Sequence, residues 1–168
     1  LRFTFIITFK RNLSFKCLQC GRCCRGYGAG VRLELYRSDI EFLSSFARDG
    51  KFFHKEDGLY FMSFKEPEHI CPFYREGICI LKKDYDFFPW NCKVFPLQAL
   101  EEGEAQSTFI VGINPEAEEH CPGLGKGYLV RNSLLPELIR GLVGIKLNDD
   151  PRSLPFEIAL SVSEIIWL

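Results

Sequence analysis

The sequence is poor in histidine, with three, and in methionine, with one, and neither sign of charge prevails in it. Its 21 Lys and Arg against 22 Asp and Glu leave a formal net charge of -1, so the dense basic stripe of a nucleic-acid binder is missing and nucleic acid is not the expected partner. Basic side chains prevail over residues 1–50 and acidic ones over 101–150, a gradient that suits an acidic partner near the N-terminal half. No apolar run reaches the roughly 18 residues that a membrane span needs. His54, His69 and His120 are scattered, which argues against a histidine-based hydrolytic metal site. Only His69, two residues before Cys71, and His120, next to Cys121, are placed to join a mixed cysteine and histidine zinc shell. The stretch Leu1–Arg11 has a short apolar core broken by Thr4 and Thr8 and followed by Lys10 and Arg11, which reads as a strand and not as an export signal. A cytoplasmic location is the expectation.

What the chain does hold is 46% hydrophobic and 14% aromatic residues, enough for one core. The pattern predicts a small single α+β domain over 1–168, with short mixed strands and helices and cysteine-rich loops. Residues 3–9 predict a strand. Ser38 and Glu41 have capping-box spacing and open a helix over 38–48. Asp57-Gly58 predicts a hairpin between strands at 51–55 and 59–64. Prolines and cysteines make 67–96 irregular, and 105–113 predicts another strand ended by Asn114-Pro115. A helix over 134–142 is expected to stop at Gly141 and Gly144, and the apolar runs of 156–168 are expected to close the core, with contact to a partner as the alternative. Glu101, Glu102 and Glu104 read as a solvated turn, and Gly28-x-Gly30 and Gly123-x-Gly125-x-Gly127 as turn glycines without a nucleotide-binding context.

Eight cysteines carry the chemistry. Cys17, Cys20, Cys23 and Cys24 form a run with two-residue spacings and an adjacent pair, set among Gly21, Gly26, Gly28 and Gly30, whose backbone freedom suits a loop wrapping a metal. Cys71, Cys79, Cys92 and Cys121 stand alone. The even count also fits a disulfide scaffold, but nothing in the sequence signals export. Eight thiolates suffice for two four-cysteine sites or for one centre with spare thiols. On extended backbone Cys23 and Cys24 point apart and would serve different metals or different edges of one centre. Proline after Cys71 and after Cys121 orients the preceding residue. Arg22, Arg25 and Lys93, with Lys126, stand close enough in sequence to balance thiolate charge. Phe87, Phe88, Trp90 and Phe95 predict an apolar shell that keeps water from the centre.

The pattern resembles the CxxCxxCC family, a family of zinc- or iron-chelating domains. The residues that carry the likeness are Phe15, Cys17, Cys20, Gly21, Cys23 and Cys24, then Cys71-Pro72-Phe73, Gly77, Cys79, Cys92 and Phe95-Pro96, and finally Cys121-Pro122-Gly123 with Gly125 and Gly127, so that it covers about 15–127. The interval between Cys79 and Cys92 is longer than the family pattern, Phe88 stands before the proline where an Arg is usual, and Lys93 replaces a second Arg. The resemblance implies a metal-binding protein; with the cysteine pattern, the expectation is an iron-sulfur cluster or zinc on Cys17, Cys20, Cys23, Cys24, Cys71, Cys79, Cys92 and Cys121, serving electron transfer with a protein redox partner, or metal handling. The alternative is a structural zinc module. Related proteins resemble flagellin lysine N-methylases, but no donor-binding loop of a methylase is legible in this sequence.

Overall fold

The computed structural model describes residues 2–28, 32–45, 51–103 and 107–168. The strands are β1 (Phe3–Ile7), β2 (Ser14–Phe15), β3 (Glu34–Leu35), β4 (Phe53–Glu56), β5 (Leu59–Met62), β6 (Tyr74–Arg75), β7 (Ile78–Cys79), β8 (Leu97–Glu102), β9 (Thr108–Ile113), β10 (Tyr128–Leu129) and β11 (Ser163–Trp167). The helices are α1 (Arg37–Ser44), α2 (Ile80–Tyr85), α3 (Trp90–Lys93), α4 (Pro115–His120), α5 (Leu134–Asn148) and α6 (Phe156–Ser161), with 3-10 turns at Cys23–Gly28 and Val130–Asn132. The chain is therefore α+β. Its contacts group into two compact units, one of Leu1–Lys16 with Val94–Leu168 and the other of Cys17–Lys93. No helix among the described residues is long and apolar enough to cross a membrane.

The first unit is organised by a sheet of order β11-β1-β9-β8. β1 alternates as a half-buried strand must, with Phe3, Phe5 and Ile7 buried. It runs parallel to both neighbours, and Phe5 stacks on Phe109 with ring centroids 5.2 Å apart. α5 presents Leu135, Leu138, Ile139 and Val143 as its buried side, each burial stabilising by about 1.5–3 kcal/mol.

Three expectations change here. Glu101 and Glu102 lie not in a solvated turn but in β8, paired antiparallel with β9, where Lys146 reaches Glu102 at 2.6 Å. An edge strand tolerates such polar residues because only one side of its ladder is paired. α5 runs past Gly141 and Gly144 to Asn148 and ends at Asp149, whose φ of 58° is left-handed. Gly144 serves close packing: a Cβ there would strike the carbonyl of Asp150. The C-terminal run forms α6 and β11, yet Ile165 and Ile166 on that edge strand stay about 40% exposed instead of closing the core. The strand predicted at 105–113 is β9 from Thr108, and residues 104–106 lie outside the described ones. Asn114 does more than end it, since its Oδ1 accepts from the N–H of Glu116 at 2.9 Å and of Ala117 at 3.3 Å and so caps α4.

The second unit is made of shorter pieces. β4 and β5 form the expected hairpin, with Asp57 and Gly58 at φ of 52° and 81° as a tight two-residue turn requires. β3 adds to β5, giving the order β3-β5-β4. α1 starts at Arg37, before the Ser38–Glu41 pair: the Tyr36 N–H donates to Asp39 Oδ2 at 2.9 Å. Residues 46–48 of the expected helix lie outside the described ones. The stretch expected to be irregular carries the β6–β7 hairpin, α2 and α3, all short. Leu35, Leu43, Met62, Phe73 and Leu81 form the core, and Cys71, Cys79 and Phe87 pack against it half-buried.

Candidate thiolate centre

All eight cysteines are thiols, Cys17 and Cys20 exposed and the other six half-buried. Seven belong to the second unit, and three segments bring them there. The first is the loop Cys17–Cys20, which turns through left-handed backbone at Gln19 (φ 58°) and Gly21 (φ 78°). Glycine is required at 21 because a Cβ would overlap the Tyr74 ring. The Tyr74 hydroxyl donates to the Gln19 carbonyl at 3.3 Å, and the Gln19 side-chain Oε1 accepts from the Cys79 N–H at 3.0 Å.

The loop continues into the 3-10 turn Cys23–Gly28, which corrects the expectation of extended backbone at the adjacent pair. On that turn the Cys23 and Cys24 thiols hydrogen-bond to each other and do not point apart. The second segment is joined here, as the Cys71 N–H donates to the Cys24 carbonyl at 2.7 Å. Cys79 follows at the end of β7, immediately before α2. The third is α3, which carries Cys92 and is held at its first residue by the Trp90 N–H on Asp39 Oδ1 at 3.0 Å. Asp39 is fully buried and thereby ties the start of α1 to the start of α3.

The electrostatics link the five half-buried thiols. The hydrogen bond from Cys24 brings the Cys23 thiol down to about 7, against the opposing effect of burial. Cys24 is pushed far up by its bond to Cys23, by burial, and by charge on Cys23, Cys71 and Cys92. Burial raises Cys71 to about 11, with charge on Cys79 and Cys23 adding to it and the Phe73 and Tyr74 N–H groups opposing. Burial also raises Cys92 well above the usual thiol value, followed by charge on Cys71, Cys23 and Cys79. Among the described residues, no group of three or more His, Cys, Asp or Glu is arranged to hold a metal ion as the chain stands.

The buried Trp90 indole Nε1, on the helix that carries Cys92, has no hydrogen-bond partner among the described residues. A buried donor left so is costly unless a bound group completes its surroundings. The Tyr74 N–H donates to the Cys71 carbonyl at 3.1 Å, which closes the turn that carries the Cys71 thiol.

The other candidates are distributed more loosely. Arg25 lies over the Tyr74 ring at 5.8 Å, while Arg22 and Lys93 are exposed. His69 Nδ1 is 2.7 Å from Glu66, and His120 lies 3.7 Å from Glu119. Of the predicted aromatic shell, Phe87 stacks on Phe42 at 3.8 Å and Trp90 is buried against Tyr36 at 5.7 Å, whereas Phe95 belongs to the first unit and meets Phe15. Cys121 also belongs to the first unit, where its N–H closes α4 on the Ala117 carbonyl at 2.8 Å. Gln19, Tyr74 and Asp39 were not singled out from the sequence: polar residues of common type carry no spacing signal, and their partners are distant in the chain.

Compared with protein-family models, curated proteins and solved structures, the chain matches none. The likeness to the CxxCxxCC family thus rests on the residues quoted for it.

Proposed function

We propose that the second unit is a metal-binding module that holds an iron-sulfur cluster, or alternatively zinc, through cysteine thiolates. One observation carries this reading: three segments distant in sequence bring Cys23, Cys24, Cys71, Cys79 and Cys92 within range of one another's charge. Half-buried thiols that feel one another's charge repel as they ionise, and a cation is what relieves that repulsion. These five residues, with the exposed Cys17 and Cys20, are the ligand set from which such a centre would draw. An iron-sulfur cluster would supply one-electron chemistry for a protein redox partner, and zinc would supply folding energy alone. The coupling between the Cys23 and Cys24 thiols supports one centre for the adjacent pair over two.

Anaerobic purification followed by analysis of iron, zinc and acid-labile sulfide tests the reading. Iron and sulfide in fixed ratio to protein, with visible absorption that bleaches in air, is the expected result. Stoichiometric zinc without sulfide would transfer the site to the structural alternative and remove electron transfer. Protein that holds neither metal, with Cys71→Ser and Cys92→Ser behaving as wild type, would overturn it.

A further inference from the structure

The two edges of the sheet β11-β1-β9-β8 are not alike. At β8 the ladder shifts register between Ala99 and Glu101, and Glu102 holds an ion pair with Lys146. A bulge and charge are the usual guards of an edge against further strand pairing. β11 stays in unbroken register with β1 and contains no Lys and no Pro, and its one charge, Glu164, is engaged by Arg2 at 4.0 Å. Exposed apolar side chains gather on this strand and on the helix leading into it: Ile165, Ile166 and Leu168, with Phe156, Ile158 and Leu160 of α6. An unguarded edge with such a surface is a site for pairing.

The ladder decides which backbone groups of β11 are left for a partner. The Phe3 N–H donates to the Val162 carbonyl at 2.7 Å and the Leu168 N–H to the Ile7 carbonyl at 3.1 Å. Residues of a strand turn their backbone groups alternately to either side, so Glu164 and Ile166 also face β1. Ser163, Ile165 and Trp167 face away from it, toward a side on which β11 has no neighbouring strand among the described residues. That outward set is symmetric about Ile165.

We propose that β11 pairs antiparallel with β11 of a second copy of this chain, across a two-fold axis at Ile165, and so joins two sheets into one. Ile165 then lies opposite Ile165 and Ser163 opposite Trp167, which matches every outward N–H and C=O of the strand. The side chains agree with this register. The two Ile165 side chains, each 40% exposed in the single chain, cover one another. Ser163 is small and its hydroxyl turns back to donate to the Ala159 carbonyl at 2.7 Å. This leaves room for the Trp167 indole, which Phe9 at 5.5 Å and Arg11 at 5.0 Å hold in place. Glu164 meets Ile166, so like charges are not opposed. Moving the axis to Glu164 would oppose two carboxylates, and moving it to Ile166 would part Ser163 from Trp167. This contact lies in the first unit and does not depend on the metal-binding reading.

The test measures the mass of the full chain by light scattering after size exclusion, with reductant present so that the free thiols form no bridge between copies. Wild type is expected at twice the 19.4 kDa chain mass when concentrated, falling toward the single-chain mass on dilution. Ile165→Lys sets two ammonium groups on the axis and is expected at the single-chain mass throughout, with wild-type circular dichroism. Ile166→Lys brings its ammonium opposite Glu164 of the second copy and is expected to remain a dimer. Adding Glu164→Lys to it opposes like charges and is expected to halve the mass, which keeps the register testable should Ile165→Lys fail to fold. Leu100→Lys, on β8, is expected to change nothing. Monomeric wild type would leave the edge to a strand of another protein and overturn the proposal. A dimer that survives Ile165→Lys or the double variant, or that is lost in Ile166→Lys or Leu100→Lys, would overturn it as well.

Discussion

The two units solve the problem of holding a chain together differently. In the first, strands of five and six residues and a fifteen-residue helix bury Phe5, Ile7, Phe109, Val111, Leu138 and Ile139 almost completely. In the second, β3 to β7 have four residues at most and the helices eight at most, and single polar ties do much of the joining: Asp39 to two helix starts, Gln19 to Cys79, Cys71 to Cys24. Apolar area supports the one. The other rests on a smaller core of shorter elements, where a centre of the kind proposed would contribute most.

The sharpest way to break that comparison is to strip metal from the full chain with a chelator and follow hydrogen exchange. A thiolate centre contributes about 10–16 kcal/mol of binding energy to folding. Protection is therefore expected to vanish across β4, β5 and α2 while β1 and β9 keep theirs. Simultaneous loss in both would show that the units do not differ in this way. The converse substitution is Phe109→Ala, at a site 1% exposed. It is expected to destabilise the first unit by about 3–5 kcal/mol in denaturant unfolding and to leave bound metal at its wild-type ratio.

A smaller effect, about 1–3 kcal/mol, is expected for Asp39→Asn, which keeps one acceptor oxygen and loses the other, leaving a buried N–H of Tyr36 or Trp90 unmatched. If the polar ties matter as argued, its loss appears in the exchange of the second unit. The smallest belongs to Asp86, whose carboxyl is held below its usual value by Lys82. A lowered carboxyl contributes stability above its unfolded value and loses it as pH falls through the folded one. Because Asp86 is fully exposed, solvent screens the pair, and thermal melting of Asp86→Asn is expected to superimpose on wild type between about pH 3 and pH 7.

Much of the fold was legible where a local rule governs it. Alternation at Phe3, Phe5 and Ile7 marks a strand whatever lies beside it, and Asp57-Gly58 marks a tight turn because few residues accept positive φ. β8 was not legible, since its Glu101 and Glu102 acquire strand structure only by pairing with β9. Nor was the length of α5: Gly141 and Gly144 look like helix stops until the neighbouring backbone of Asp150 shows why a side chain is excluded. At the site, the cysteines announced themselves by type and spacing, but the geometry at Cys23 and Cys24 inverted, because a helical turn replaces the extended backbone assumed for it.

By itself, then, the sequence determined which atoms are available for chemistry, namely eight thiols with a clustered run near the N-terminus, and where local geometry forces a strand or a turn. Tertiary structure alone decided which distant thiols share a charge environment, that Asp39 anchors α3, and that Gln19 reaches Cys79. Local preferences depend on neighbours a few residues away, whereas a buried carboxylate or amide is fixed by donors 51 and 60 residues distant, which no spacing rule encodes.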